Sequence, residues 1–526
     1  MNGIQFEEQS PVVAVDPNRA DIACFVGFVA RREGSAIPQF VRDWMGEYGW
    51  TAALLGRPGF DTEALDDVPV PIDSWELFDR LFRWERRTGE SSGVAYLGAA
   101  VRSFFAQGGR KCYVVRVGDP WERGLARPSR LARVDDLIPG WAAGQVTCTP
   151  LARTSWSGVG HLFGLPEVSY LCLPDLAEAF AVDPEPATGP ELPLLPEQFV
   201  ECGAEPADPV AGDLVRWATA PRCDEAAARE WATAVNLLGG MIARWQREVQ
   251  LVLALPLPKA GTQIERDCHG WLSDQANGIL DAGLVESNRP GVASAFVQLA
   301  FPWVQTSGSN ALPERLESPD GVLAGVLARN ALMRGSFHSA AGLPLVEVSG
   351  VSPAWGAEHF ERPAGRAGER GTRRRSMVER VSLLGQAPRG FILLSDVTTS
   401  IDEGYRPACA NRLVTAIVRA ARRAGEDLVF ESSGEALWGR IRESLQRLLV
   451  GLFQDGALRG ATPAEAFQVR CDRSTMSQND LDAGRVIVSV QFQAALPIER
   501  ITVVLGLHEG GQVSVLSSDN GEAARP

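Results

Sequence analysis

Apolar and polar positions along this chain follow two periods, and their order predicts alternating strands and helices. Ile22-Ala-Cys-Phe-Val-Gly-Phe-Val-Ala30 is a nearly unbroken apolar run of strand length, the pattern of a strand covered on both faces. Val68 to Ile72 reads as an extended, proline-marked lead into a helix with Asp73 or Ser74 as N-cap and Leu77, Phe78, Leu81 and Phe82 on its buried face. A second amphipathic helix spans Tyr96 to Phe105 and is stopped by Gly108-Gly109, and the strand Cys112-Tyr-Val-Val-Arg-Val117 follows directly. Further on, the helix Glu225 to Arg247 places Trp231, Val235, Leu238, Ile242 and Trp245 on one side and feeds the strand Val249 to Leu255. Leu299 to Val304 is another extended element. Strand, helix and strand recurring in this order indicate an α/β architecture.

The carboxy-terminal part has its own pattern. A helix (Asn411 to Arg423), a strand (Leu428 to Glu431) and a long helix (Glu435 to Phe453) succeed one another. Ser432 to Glu435 has capping-box spacing, and Leu437, Ile441, Leu445, Leu448 and Leu452 form one apolar stripe opposite Arg440, Glu443, Arg447 and Gln454, with Gly456 ending the helix. Thr462-Pro-Ala-Glu465 is a second capping box with Pro at the first helical position. Phe467, Val469 and Cys471 alternate; so do Val486, Val488, Val490 and Phe492, and then Ile501, Val503 and Leu505. The last two strands, joined by Ala494 to Glu499, form either a hairpin or a strand plus an arm handed to a neighbour. At the other end, Ile4 and Phe6 in Gly3-Ile-Gln-Phe-Glu-Glu8 face one way along a short strand that is not stable alone and must join another sheet.

Composition narrows the functional classes. The 526 residues are 45% hydrophobic and can bury more than one core, so two or three domains are expected. The formal net charge of −14 argues against direct nucleic-acid binding, which draws on clustered Lys and Arg. No apolar run of about 18 residues predicts membrane insertion, and the amino terminus lacks an export signal, so cytoplasmic synthesis is expected. From Thr154 to Leu214 there is no Lys or Arg, and Ala181 to Asp213 reads as an exposed acidic insertion. Arg362 to Arg375 is a basic, glycine-rich loop.

Catalytic signatures are missing. There is no P-loop, no Gly-x-Ser-x-Gly elbow, and Gly158-Val-Gly160-His-Leu-Phe-Gly164 has the wrong spacing for a dinucleotide fingerprint and reads as a close-packed turn. The nine cysteines include no Cys-x-x-Cys pair, the five histidines no pair within one helical turn, and adjacent Cys268-His269 would point apart. Neither catalytic residues, nor metal ligands, nor a cofactor are expected.

These segments, in this order, resemble the contractile tail sheath family of phages and phage-tail-like extracellular injection systems. The resemblance rests on Gly460-Ala-Thr-Pro-Ala-Glu-Ala-Phe467 with Arg470-Cys-Asp-Arg473, and on Ile72 to Phe78, Tyr96 to Phe105, Gly108 to Val117, Trp156 to Gly160, Val168 to Leu176 (a strand ending in Pro-Asp) and Ser318 to Arg329. Leu394-Ser-Asp-Val-Thr398 stands where the family has Gly-Ala-Arg-Thr wording. The resemblance implies a mixed α/β, multi-domain tail-sheath fold: an amino-terminal arm (1–20), an outer α/β region (21–330) carrying the acidic insertion, an inner carboxy-terminal domain (331–507) and a tail (508–526). It implies a non-enzymatic contractile subunit that stacks in six-membered rings around an inner tube. Its partners would be its own copies, the tube protein, baseplate and cap proteins, and an AAA-type ATPase of the same system, with assembly in the cytoplasm and incorporation into a phage tail or a released or cell-retained particle. Ile4, Phe6, Ile501, Val503 and Leu505 are the expected inter-subunit arm residues, and Arg440 and Arg447 a candidate tube-facing pair. A minor sheath paralogue at the baseplate or cap, and an α/β enzyme of unknown reaction, stay open as alternatives.

Overall fold

The computed structural model describes residues 20–51, 55–56, 62–84, 96–122, 125–183, 219–260, 292–355, 377–400, 402–426, 434–482 and 485–495, and the backbone of 501–507 and 513–516. Ile4, Phe6, the expected strand Leu428 to Glu431, the Arg362 to Arg375 loop, Cys268-His269 and most of the acidic insertion lie outside these residues.

One sheet organises the larger part of the chain. Its strands are β1 (Ala23–Gly27), β2 (Pro69–Ile72), β3 (Cys112–Arg116), β4 (Tyr170–Cys172), β5 (Gln250–Ala254), β6 (Val297–Phe301), β7 (Ser382–Ala387) and β8 (Gly390–Leu393), in the order β8-β7-β6-β5-β4-β1-β3-β2. The neighbours from β7 to β3 run parallel, and β8 and β2 close the two edges antiparallel. Every residue of β1, β3, β4, β5 and β6 is buried, as the unbroken apolar runs require of strands covered on both faces.

The helices that fix this sheet are α1 (Trp75–Leu81), α2 (Leu97–Ala106), α3 (Glu225–Trp245) and α4 (Asp320–Arg334). Ser74 caps α1 by accepting the Leu77 N–H, and Asp224 caps α3 by accepting that of Ala227. α4 lies directly on α2: a Cβ on Gly321 would meet the Ala100 backbone, so only a residue without one lets the two helix axes approach this closely. At the two ends of the acidic insertion, the Val182 N–H donates to the Arg222 carbonyl at 2.9 Å, which holds the departing and returning chain side by side.

A second, smaller core is built by α5 (Ala408–Glu426), α6 (Glu435–Gln454) and the strands β9 (Phe467–Arg470) and β10 (Val486–Phe492), which stand in one antiparallel sheet with β11 (Ile501–Leu507) and β12 (Val513–Leu516) in that order. One apolar cluster runs from Ile22 to Leu393 and the other from Leu413 to Ala494. The division expected between residues 330 and 331 therefore falls inside α4. The buried Val381, Leu383, Leu384 and Leu393 put β7 and β8 on the large sheet, and the cores part between Leu393 and Leu413.

Three local expectations are corrected. α6 buries Leu437, Trp438, Ile441, Leu445, Leu449 and Leu452, so Leu449 replaces Leu448, which is half-buried. The N-cap of α6 is Gly434, which puts Glu435 in the first helical position instead of the third place of a capping box. At the second box, Thr462 makes no side-chain cap; Glu465 instead accepts the Ala461 N–H at 3.0 Å.

Adding a single methyl should separate the two kinds of glycine. Gly321→Ala, pressed against α2, is expected to lower stability by about 1–3 kcal/mol in chemical denaturation. Gly240→Ala, on the exposed side of α3 with nothing within 4 Å of the new carbon, is expected to raise it by roughly 0.5–1 kcal/mol.

Candidate functional site

In open α/β sheets a ligand binds outside the carboxyl ends of the strands, where the chain path reverses. Here that point lies between β1 and β4, because β1 has β3 on one side and β4 on the other. β4 continues into Leu173-Pro174-Asp175, and Asp175 fills the place. Its carboxylate accepts the backbone N–H of Phe28 at 2.8 Å and of Tyr96 at 2.6 Å, and that of Leu97, the first residue of α2. Such a set of amides at a helix start cradles anions, and the protein supplies its own. Gly27 is required because a Cβ there would run into the Asp175 carboxylate. β1 ends at Gly27 instead of running on to Ala30, and the next N–H, that of Phe28, goes to Asp175 and not to a neighbouring strand. Burial lifts the Asp175 carboxyl to about 6, and the three amides work against that rise. The usual ligand crevice of a doubly wound sheet is thus closed by a side chain.

The amino ends of the strands meet α5, which faces two ways. Leu413, Ile417, Val418 and Ala421 enter the smaller core, while Arg412, Arg419 and Arg422 reach the larger one. Arg412 holds Asp396 in a two-pronged contact at 2.6 and 3.1 Å and also donates to the Ser336 carbonyl at 2.8 Å. Asp396 accepts in addition from the Ala340 N–H at 2.8 Å and from Gln298 at 2.9 Å, so this fully buried carboxylate is ringed by donors. Burial alone would raise the Asp396 carboxyl; the charge and hydrogen bonds of Arg412, with those of Ala340 and Gln298, outweigh it and hold the group below the usual range. Arg419 donates to Ser169 Oγ and the Val168 carbonyl, each at 3.0 Å, and to the Glu248 carbonyl at 3.2 Å. Arg422 pairs with the Glu248 carboxylate at 2.8 Å. Residues 168–169 and 248 lead into β4 and β5, so α5 lies across the amino edge of the central strands.

The residues singled out from sequence occupy other places. Arg440 and Arg447 are exposed, on the outer side of α6 away from its leucine stripe. Ile501, Val503 and Leu505 stand on β11 opposite Phe492, Val490 and Val488 of β10 in the same chain. Sequence reasoning missed the α5 arginines, because a charged residue in an amphipathic helix reads as solvated; no local signal marks Asp396 or Glu248 as their partners. For Asp175 a signal did exist, in the Pro-Asp that ends the β4 segment. Among the described residues no group of three or more His, Cys, Asp and Glu side chains is placed to hold a metal ion, and no helix is long and apolar enough to cross a membrane.

No protein-family model matches the sequence, and no curated protein matches it. Solved structures do match. A chain of the cryo-EM baseplate of the anti-feeding prophage, in its contracted state, aligns with a TM-score of 0.52 at 15% identity over 99% of both chains. A chain of the same particle's contracted helical sheath aligns with a TM-score of 0.51 at 18% identity over 95% of this chain and 97% of that one. A chain of its six-fold symmetrised baseplate aligns with the same values. The chain has the mixed α/β tail-sheath fold along nearly its whole length, and the particle whose chains share it is a contractile one.

Asp396→Asn removes the charge that permits Arg412 to be buried and is expected to cost about 3–5 kcal/mol in denaturant titrations. Because the Asp396 carboxyl is depressed in the folded state, the stability it confers is fully present above the ordinary carboxylate value and is lost as pH falls through the lower folded one. The variant should therefore flatten the acid limb of the stability profile.

Proposed function

We propose that this protein is a structural subunit of the contractile sheath around the inner tube of a phage tail or a phage-tail-like injection particle. The observation that carries the reading is the tail-sheath fold, matched over 95–99% of the chain by chains of a contractile particle. The sealed switch point supports a mechanical over a catalytic role, since Asp175 occupies the crevice where an α/β enzyme of this topology would bind its ligand.

In this reading identical copies stack in rings, and the work of contraction comes from surface buried between them, at roughly 25 cal/mol per Å² of apolar area less the ordering costs. No nucleotide is consumed in the stroke, and no cofactor takes part. The termini act as arms, with Ile4 and Phe6 at one end and Ile501, Val503 and Leu505 at the other; β11, which pairs with β10 of its own chain in the single subunit, exchanges with its counterpart in a neighbouring copy on assembly, so that sheet edges stay paired. The exposed Arg440 and Arg447, seven residues apart and hence on one face of α6, meet the inner tube. Baseplate and cap proteins and an AAA-type ATPase complete the set of partners. A sheath-fold subunit confined to the baseplate is the second reading, favoured by the equally good match to baseplate chains; subunit stoichiometry in purified particles separates it from the first.

Negative-stain microscopy of the overexpressed protein is expected to show tubes or stacked rings, and a strictly monomeric preparation would end the sheath assignment. In particles carrying Arg440→Glu and Arg447→Glu together, tube-filled extended forms should disappear while empty contracted sheaths persist. Normal particles from that double variant would remove the two arginines from the tube contact.

A further inference from the structure

The seam between α2 and α4 contains three buried carboxyl groups. Glu317 accepts hydrogen bonds from the hydroxyls of Ser103 on α2 and Thr306, the latter at 2.9 Å. Asp320, at the start of α4, accepts from Ser318 Oγ at 2.6 Å and the Gly321 N–H at 3.1 Å, and its Oδ2 is buried with no hydrogen-bond partner among the described residues. Asp175 adds its charge to that felt by Asp320.

The other titratable groups facing the seam do not neutralise it. Arg102 acts on Glu317 and Arg133 on Asp175 only through space, and Tyr96 and Cys172 are neutral. β5 and β6, which also pack under α4, carry no titratable side chain. Burial lifts Glu317 to about 8 and Asp320 to about 7, while their hydroxyl and amide donors pull the other way. The far end of α4 is tied to the joint at α5: Asn330 donates to the His338 carbonyl at 2.7 Å, and Arg412 grips the same carbonyl at 3.3 Å and that of Ser336 at 2.8 Å.

We propose that α4 is a proton-controlled lever: with Glu317 and Asp320 neutral it stays seated on α2, and with both charged it lifts from α2 and slackens the Ser336 and His338 carbonyls that Arg412 holds. This is independent of whether the protein builds a sheath. The sign follows from the raised folded values. Stability from the neutral carboxyls is complete below the ordinary carboxylate value, falls as pH rises, and is lost once pH has passed about 8.

Hydrogen exchange of the full-length protein between about pH 6 and about pH 9, corrected for the chemical exchange rate, reads the lever directly. In the wild type, amides of residues 320–334 and 408–412 should lose protection by at least about tenfold at the higher pH, while those of α6 do not change. Glu317→Gln and Asp320→Asn should each weaken this dependence and together abolish it. Should the variants not fold, the infrared carboxylic-acid band of the wild type supplies a second readout, present near pH 6 and bleached near pH 9 with the protein still folded. Protection of α4 that is indifferent to pH in the wild type, a dependence that survives in the double variant, or absence of the protonated band near pH 6 would each overturn the proposal.

Discussion

A guanidinium taken out of water stays buried only if a carboxylate and a full set of acceptors are waiting for it. Arg412 meets Asp396 and two backbone carbonyls under that condition, and the position of the whole carboxy-terminal unit follows. α5 cannot slide along the sheet without breaking further polar contacts, because Arg419 bonds Ser169 Oγ and two carbonyls and Arg422 pairs with the Glu248 carboxylate, all in the residues that lead into β4 and β5. The apolar side of the same helix is already committed to the smaller core. One helix is thus read by two cores, apolar toward one and cationic toward the other, and that division of faces makes the chain one body with two centres.

The two ends of the parallel strands are treated in opposite ways. At the carboxyl ends Asp175 satisfies the start of α2 and shuts the crevice; at the amino ends the α5 arginines bind the strand approaches. A topology that elsewhere serves ligand binding becomes a block whose polar strand ends are satisfied from within. The hydrogen bonds and ion pairs at both strand ends are largely shielded from solvent, which stiffens the block. At the α2–α4 seam, by contrast, Glu317 and Asp320 are buried with no cation bonded to them among the described residues.

The periodic signals in the chain were good guides to elements. The unbroken runs at Ile22, Cys112 and Val249 are central strands, Ser74 does cap its helix, and the alternation of Val486, Val488, Val490 and Phe492 does mark the buried side of β10. Where the reading slipped, a contact distant in sequence had won. Beyond Gly27 the Phe28 N–H is held by Asp175, 147 residues away, where a longer strand was expected, and the cores divide after Leu393 because β7 joins a strand more than 80 residues earlier. Leu448 and Leu449 are one residue apart on a stripe that the helical period leaves ambiguous, and packing alone chose between them.

What the amino-acid order determined by itself was the identity of the elements, the absence of catalytic motifs and the resemblance to tail sheaths, since each rests on spacing within a few tens of residues. The pairing of Arg412 with Asp396, the closure of the switch point by Asp175 and the gathering of Glu317, Asp320 and Asp175 at one seam were decided only by the tertiary structure. Charged side chains look alike in a sequence whether they end in water or in the interior. Their energies differ because burial removes the solvent that would otherwise screen them, and burial is a property of the folded whole.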